Sequence, residues 1–228
     1  RDSVASRGLG DVYKRQQERK SDPLIAVVDY GMGNLGSVEK ALKYIGSDCV
    51  ITSDAGVIAD ASGVILPGVG SYAPAMDELT NRDLVTPLID CAYSGKPLLG
   101  ICLGMQLMLE GSEENNLERR ETKGVVSGLG IIPGFVRRFP DNGLKVPQMG
   151  WNKLVDVTGR LLTEGDYVYF VHSYYCQLGL TSDNAASTEY GIKYCSSFEH
   201  DNIFGMQFHP EKSGQDVGLK ILKNFVCL

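Results

Sequence analysis

The sequence predicts an α/β domain with a mostly parallel central sheet and flanking helices. Three observations carry that prediction. The short runs "LIAVVD" (24–29), "GVILP" (63–67) and "PLLGI" (97–101) are apolar almost throughout, as strands buried on both faces require. Segments with helical spacing separate them, the alternation that builds parallel sheets. A chain of 228 residues, 43% of them hydrophobic, can bury one sizeable core.

The elements follow in order from Leu24. "LIAVVD" reads as a strand, "YGMGN" as a glycine turn and "LGSVEKALKYIG" as a helix closed by Gly46. Strands "CVIT" and "GVILP" come next, then a polar helical stretch over 71–94 and the strand "PLLGI". After it "MQLMLEG" has the spacing of a helix that stops at Gly111. The second half is richer in strands: "GIIPGFVRRF", "WNKLVDV", "YVYFVHSYYC" and "IKYCSSFEHDNIFGMQFH", closed by the helix "QDVGLKILKNFV". Residues 1–23 are polar and basic, with no apolar periodicity and no initiating Met, so a non-native or disordered extension is expected there. One domain over 24–228 is the economical division.

A net charge of −6 argues against a nucleic-acid surface. No apolar run approaches the ~20 residues of a spanning helix, and no secretory pattern opens the chain, so no membrane and a cytoplasmic location are expected. The six cysteines (49, 91, 102, 176, 195 and 227) form no CxxC pair and suit neither zinc nor a disulfide framework. They are expected to be reduced, five of them as small buried hydrophobes. No metal or cofactor is implied.

Cys102 is the exception. "GICLG" puts it between Gly100 and Gly104, where an apolar strand meets a helix. That is the cysteine form of the nucleophile elbow, a turn tight enough to exclude larger neighbours. The N–H groups opening the following helix favour thiolate. Such a nucleophile needs a base, and the chain has three histidines. His200, beside Asp-Asn in "FEHDNIF", reads as a solvated loop residue. His209 ends the run "IFGMQFHPE", and Pro210 biases it towards an extended backbone. Residues two apart then face the same way, which puts Glu211 beside His209 to orient the imidazole. Oxyanion donors are expected from the Leu103 N–H and from "LPGVGSY" (66–72), although that string alone could be a plain strand-to-helix turn.

"GICLGMQ", "PGVG" and "FHPEKS", in this order, resemble the class I (triad) glutamine amidotransferases. Within them, "VVDYGMGNLGSV", "GLGIIPGFVRRF", "VPQMGWN" and "YFVHSYYC" resemble the glutaminase subunits of imidazole glycerol phosphate synthases, of histidine biosynthesis. The resemblance runs from about Leu24 to the C-terminus. It implies a flavodoxin-like fold and hydrolysis of L-glutamine to glutamate and ammonia through a thioester on Cys102. It also implies that the ammonia passes to a separate (β/α)8-barrel cyclase subunit. That subunit makes imidazole glycerol phosphate and aminoimidazole carboxamide ribotide.

By the same resemblance Cys102, His209 and Glu211 form the triad, and Gly68, Val69 and Gly70 the oxyanion strand. Gln106 and Glu114 match positions that hold the amino-acid end of glutamine, and Ser173 and Tyr174 match the segment receiving its α-carboxylate. Asn34, Met149, Trp151, Tyr169 and Lys212 match positions facing the cyclase. By itself Glu114 is one more charge in "SEENNLERRE", and Trp151 reads as core. Two alternatives stand beside this one. A glutaminase serving anthranilate, carbamoyl phosphate or GMP synthesis would share the triad and lack "VPQMGWN" and "YGMGNLGS". A catalytically silent regulatory domain would be expected to lose a triad member, and all three are present.

Overall fold

A computed structural model describes residues 24–114 and 124–228. The segment 1–23, expected to be foreign to the domain, lies outside the described residues. At the centre, strands β1 (Ile25–Val28), β2 (Cys49–Thr52), β3 (Gly63–Gly68) and β4 (Leu98–Cys102) run parallel in the order β2-β1-β3-β4. The last strand, β13 (Ile203–Met206), joins β4 in parallel. Beyond it the eleven-stranded sheet continues through β12 (Lys193–His200), β10 (Tyr174–Leu178) and β7 (Ile132–Arg138), each antiparallel to the one before.

The apolar runs have the two-sided burial expected of them. Along β1 and β3 alternate side chains enter opposite cores: Val28, Val64 and Leu66 on one face, Val27 and Ile65 on the other. Helices α1 (Leu35–Tyr44) and α6 (Lys220–Val226) cover the second face with Val38, Leu42, Leu222 and Phe225. The first face is covered by α2 (Ala55–Asp60), α3 (Tyr72–Asn81), α4 (Val85–Tyr93) and α5 (Leu103–Leu107). Among the described residues no helix is long and apolar enough to cross a membrane.

Four expectations need correction. The helix after Cys102 ends at Leu107, and Leu109–Ser112 is a strand, β5. Leu103 to Leu109 are buried without interruption, so the apolar spacing does not mark one helical face. The carbonyls that would extend the helix instead accept from the 129–132 backbone: Leu129 N to Leu107 O at 2.8 Å and Ile131 N to Met108 O at 2.9 Å. "YVYFVHSYYC" breaks at Ser173 into two strands of different sheets. Tyr167–His172 (β9) pairs with Gln148–Lys153 (β8) in a separate hairpin, and β10 joins the main sheet. "WNKLVDV" is strand only to Lys153. The helical stretch over 71–94 is two helices, parted where Asp83 takes a φ of 55°.

Candidate active site

Adjacent parallel strands β3, β4 and β13 end at one edge of the sheet, where open α/β folds bind ligands. They deliver Gly68–Gly70, Cys102 and Gln207–His209 to the same place. The glycines flanking Cys102 are there because nothing larger fits. A β-carbon on Gly100 would lie 2.7 Å from the Met105 backbone, and one on Gly104 only 1.8 Å from the Leu66 carbonyl oxygen. Between them Cys102 is held at φ 55° and ψ −110°, a conformation non-glycine residues rarely adopt. Its thiol faces the Val171 carbonyl at 3.9 Å. The residue is 7% exposed and opens α5, whose first N–H groups have no partner within so short a helix.

His209 lies at the end of the buried run, and its Nδ1 donates to Glu211 Oε1 at 2.9 Å. The two side chains are 3% and 1% exposed. Their meeting does not come from strand alternation, as the sequence suggests. His209 is extended, but Pro210–Lys212 is a 3-10 turn that folds Glu211 back onto the imidazole. The backbone fixes the ring from both sides: His209 N donates to Tyr169 O at 2.9 Å, and Ser213 Oγ to His209 O at 2.6 Å. A further bond from Tyr169 N to Ser213 Oγ, at 3.0 Å, ties β9 to the same turn. The other ring nitrogen, Nε2, is buried with no aligned hydrogen bond of its own. Burial disfavours the imidazolium, yet Cys102 and Glu211 outweigh it and raise the His209 pKa to about 10.

The second buried histidine shows the opposite environment. His172 lines the same cleft, with Nδ1 2.7 Å from Tyr174 O and Nε2 3.2 Å from the Tyr194 hydroxyl. Burial, with no carboxylate beside it, lowers its pKa to about 4. It is a neutral strut, while His209 is held as the imidazolium. His200 ends β12, half-exposed, with Nδ1 3.2 Å from Asp183 Oδ1.

A cleft of about 400 Å³ brings most of the predicted site residues together. Its walls include Cys102, Leu103, His209, Val69, Gly70, Gln106, Glu114, Ser173 and Tyr174. Gly68 lies just behind them in β3, paired with Cys102 across the strands. Gly70 has a φ of 98°, a backbone only glycine adopts freely. Glu114 Oε2 accepts from Tyr72 N at 3.0 Å, at the start of α3. Burial raises its pKa, and the Tyr72 N–H and Ser71 hydroxyl only partly offset that. A half-buried carboxylate in this position calls for a cation. Gln207 and His172 were not anticipated; "MQFH" carries no local sign that Gln207 would face Cys102.

The candidate interface residues divide by exposure. Trp151 and Met149 are 56% and 60% exposed, against the core role expected of an isolated tryptophan. The hairpin explains it: Phe170 and His172 occupy the inner face of β9, while Trp151 and Tyr169 pair on the outer one. Their ring centroids are 6.0 Å apart at 70°. Lys212 is exposed, and Asn34 stands half-buried at the N-terminal end of α1, where its side chain makes no capping hydrogen bond. All six cysteines are free; of the five expected to be buried, Cys91 and Cys176 are, Cys49 and Cys195 are only partly covered, and Cys227 is exposed beyond the last helix.

The family described as "Glutamine amidotransferase class-I" matches residues 26–228. A protein named imidazole glycerol phosphate synthase subunit HisH, from Bacillus cereus, is 48% identical over 206 residues, 89% of this chain and 93% of that one. Its namesake from Listeria monocytogenes is also 48% identical, over 89% and 94%. Among solved structures, PurLQS from Thermotoga maritima superposes with a TM-score of 0.64 at 17% identity, covering 90% of this chain and 98% of that chain. A structure titled glutamine amidotransferase reaches 0.65 at 15% identity, over 88% and 96%. These two likenesses concern the fold.

Proposed function

The chain belongs to the class I glutamine amidotransferases, and from that premise we propose that it is the glutaminase subunit of an imidazole glycerol phosphate synthase. The observation that carries the chemistry is that Cys102 and His209 line one cleft, with Glu211 bonded to the His209 imidazole. The near-half identity to proteins of that name over most of both chains carries the choice among sister glutaminases.

In this mechanism Glu114 receives the α-ammonium of L-glutamine, its raised pKa falling back as the cation arrives. Gln106 supports the same end, and Ser173 with Tyr174 receives the α-carboxylate. The Cys102 thiolate attacks the side-chain amide carbon. The carbonyl electron pair moves onto oxygen, where N–H groups of Leu103 and the Gly68–Gly70 strand face it. The His209 imidazolium gives its proton to the departing nitrogen, and ammonia leaves. His209, held by Glu211, then takes a proton from water, which attacks the thioester. Collapse releases glutamate and restores the thiolate. The ammonia passes to a (β/α)8-barrel cyclase docked on the face that carries Met149, Trp151, Tyr169, Lys212 and Asn34. A cytoplasmic location fits that pairing.

Glutamate release tests this assignment. The purified chain alone is expected to be a poor glutaminase, and cyclase with its nucleotide ligand to raise the rate by about a hundredfold, one oxyanion donor's worth. Activation by an anthranilate, carbamoyl phosphate or GMP synthase partner instead would reassign the chain to a sister enzyme.

A further inference from the structure

We infer that Gln207 is a further catalytic residue, its side-chain amide donating a hydrogen bond to the Cys102 sulfur; this rests on Cys102 being the nucleophile. Gln207 is fully buried and lies between β13 and His209, its backbone N donating to Ser196 O at 2.9 Å. Its Nε2 is 3.7 Å from Cys102 Sγ, within reach of a sulfur acceptor.

Which end of the amide faces the sulfur is fixed by a chain of partners. A carbonyl can only accept, so the Tyr174 carbonyl, 3.1 Å from Gln106, must meet the NH2 end of that side chain. The same Gln106 Nε2 is 2.9 Å from Gln207. Both of its protons are then spent, and Gln207 must present its oxygen there. Its NH2 end is thereby left towards Cys102. Flipping Gln207 would set NH2 against NH2 at one end and a carbonyl against sulfur at the other. The orientation follows from the network, with one obligate acceptor as its anchor.

The sulfur gains from this. Beside the His209 imidazole, the sulfur faces the Val171 carbonyl, an acceptor that suits a thiol and repels a thiolate. Gln207 supplies a second side-chain donor to the thiolate, one that stays in place when His209 gives up its proton. The sulfur carries negative charge twice in each turnover, before attack and when it departs from the tetrahedral adduct of water on the thioester. In the thioester between these steps its lone pair is a poor acceptor. The amide therefore favours the charged forms at both ends of the cycle. The chain also links Tyr174, in the substrate wall, to the nucleophile through two buried amides.

The test is the variant Gln207→Met, which keeps the volume and removes the donor. The readout is the rate at which iodoacetamide alkylates Cys102 at pH 7, followed by mass spectrometry of its peptide. Loss of a hydrogen bond to a charged group is expected to slow alkylation by about tenfold to a hundredfold. The kcat for glutamine in the cyclase complex should fall by a similar factor, with KM changed less. A wild-type alkylation rate in a variant that melts normally overturns the proposal. Should the variant not fold, the wild-type chain decides. The Gln207 side-chain amide resonances should shift in Cys102→Ala, and unmoved resonances reject the contact. Full glutaminase activity in Cys102→Ala would instead sink the nucleophile assignment, an outcome separate from either result.

Discussion

The reacting end of the cleft and the outer face of the β8–β9 hairpin are built on opposite principles. At Cys102 the backbone is strained and every neighbour is specified: Gly100 and Gly104 tolerate no β-carbon, and the strand lies between two parallel neighbours. At the hairpin a two-stranded ladder makes six residue pairs without irregularity, and its outer side chains Met149 and Trp151 are mostly exposed. The first region holds atoms in a geometry the chain would not adopt unaided. The second leaves large apolar groups uncovered, which a lone domain has no reason to do. On the proposed function, chemistry sits where the fold is over-determined, and recognition sits where it has hydrophobic surface to spare.

The largest effect should come from the over-determined end. Cys102→Ala is expected to cut glutamine-dependent turnover by at least about a thousandfold, while the ammonia-dependent reaction of the complex stays nearly intact. His209→Ala should match it, and Glu211→Ala should cost about tenfold less, because the carboxylate exchanges no proton. Comparable glutamate release from His209→Ala would dissolve the contrast, since the site would not be the acting one.

Substitution on the other face should separate the two regions cleanly. Trp151→Ala is expected to weaken binding of the cyclase by about 2 kcal/mol, roughly thirtyfold in Kd, with Cys102 alkylated at its normal rate. Titration calorimetry checks the first half and mass spectrometry the second. Unchanged affinity would remove the hairpin from the interface.

A smaller effect sharpens the electrostatic side. The His209 pKa is raised in the folded protein to about 10 from an ordinary 6.5. Its contribution to stability is therefore full below pH 6.5 and is lost as pH rises through about 10. The melting-temperature gap between wild type and His209→Gln should narrow across that window. A gap constant with pH would mean that Cys102 and Glu211 do not hold the imidazolium. The smallest effect is expected from deleting residues 1–23, which carry no apolar periodicity: melting temperature and activity should not change. A clear drop would show that the segment packs on the domain.

The legibility of this sequence follows the same divide. The elbow and the His209–Glu211 pair were readable because each is local, set by glycines and a proline within a few residues. The two-sided strands were readable from their lack of polar alternation. The short α5 was not, since an apolar run buried on all sides looks alike as helix or strand. Nor was the exposure of Trp151, which depends on a hairpin partner eighteen positions away, Tyr169. The Glu114 contact with Tyr72 spans 42 residues, and the Gln207 contact with Cys102 spans 105. Such pairings are written in the topology of the sheet rather than in any window of sequence.

The seam between β9 and the turn after His209 has a mechanical consequence. Tyr169 is gripped twice, its carbonyl by the His209 N–H and its own N–H by Ser213 Oγ. Its side chain meanwhile stands beside Trp151 on the outer surface. A force applied to those rings is therefore delivered to the backbone that carries the imidazole, with no slack loop between them to absorb it. A displacement on the order of 1 Å is enough to change a rate a hundredfold when it falls on a reacting group. The hairpin is in that sense a stiff lever, with its long arm in the open and its short arm resting on His209.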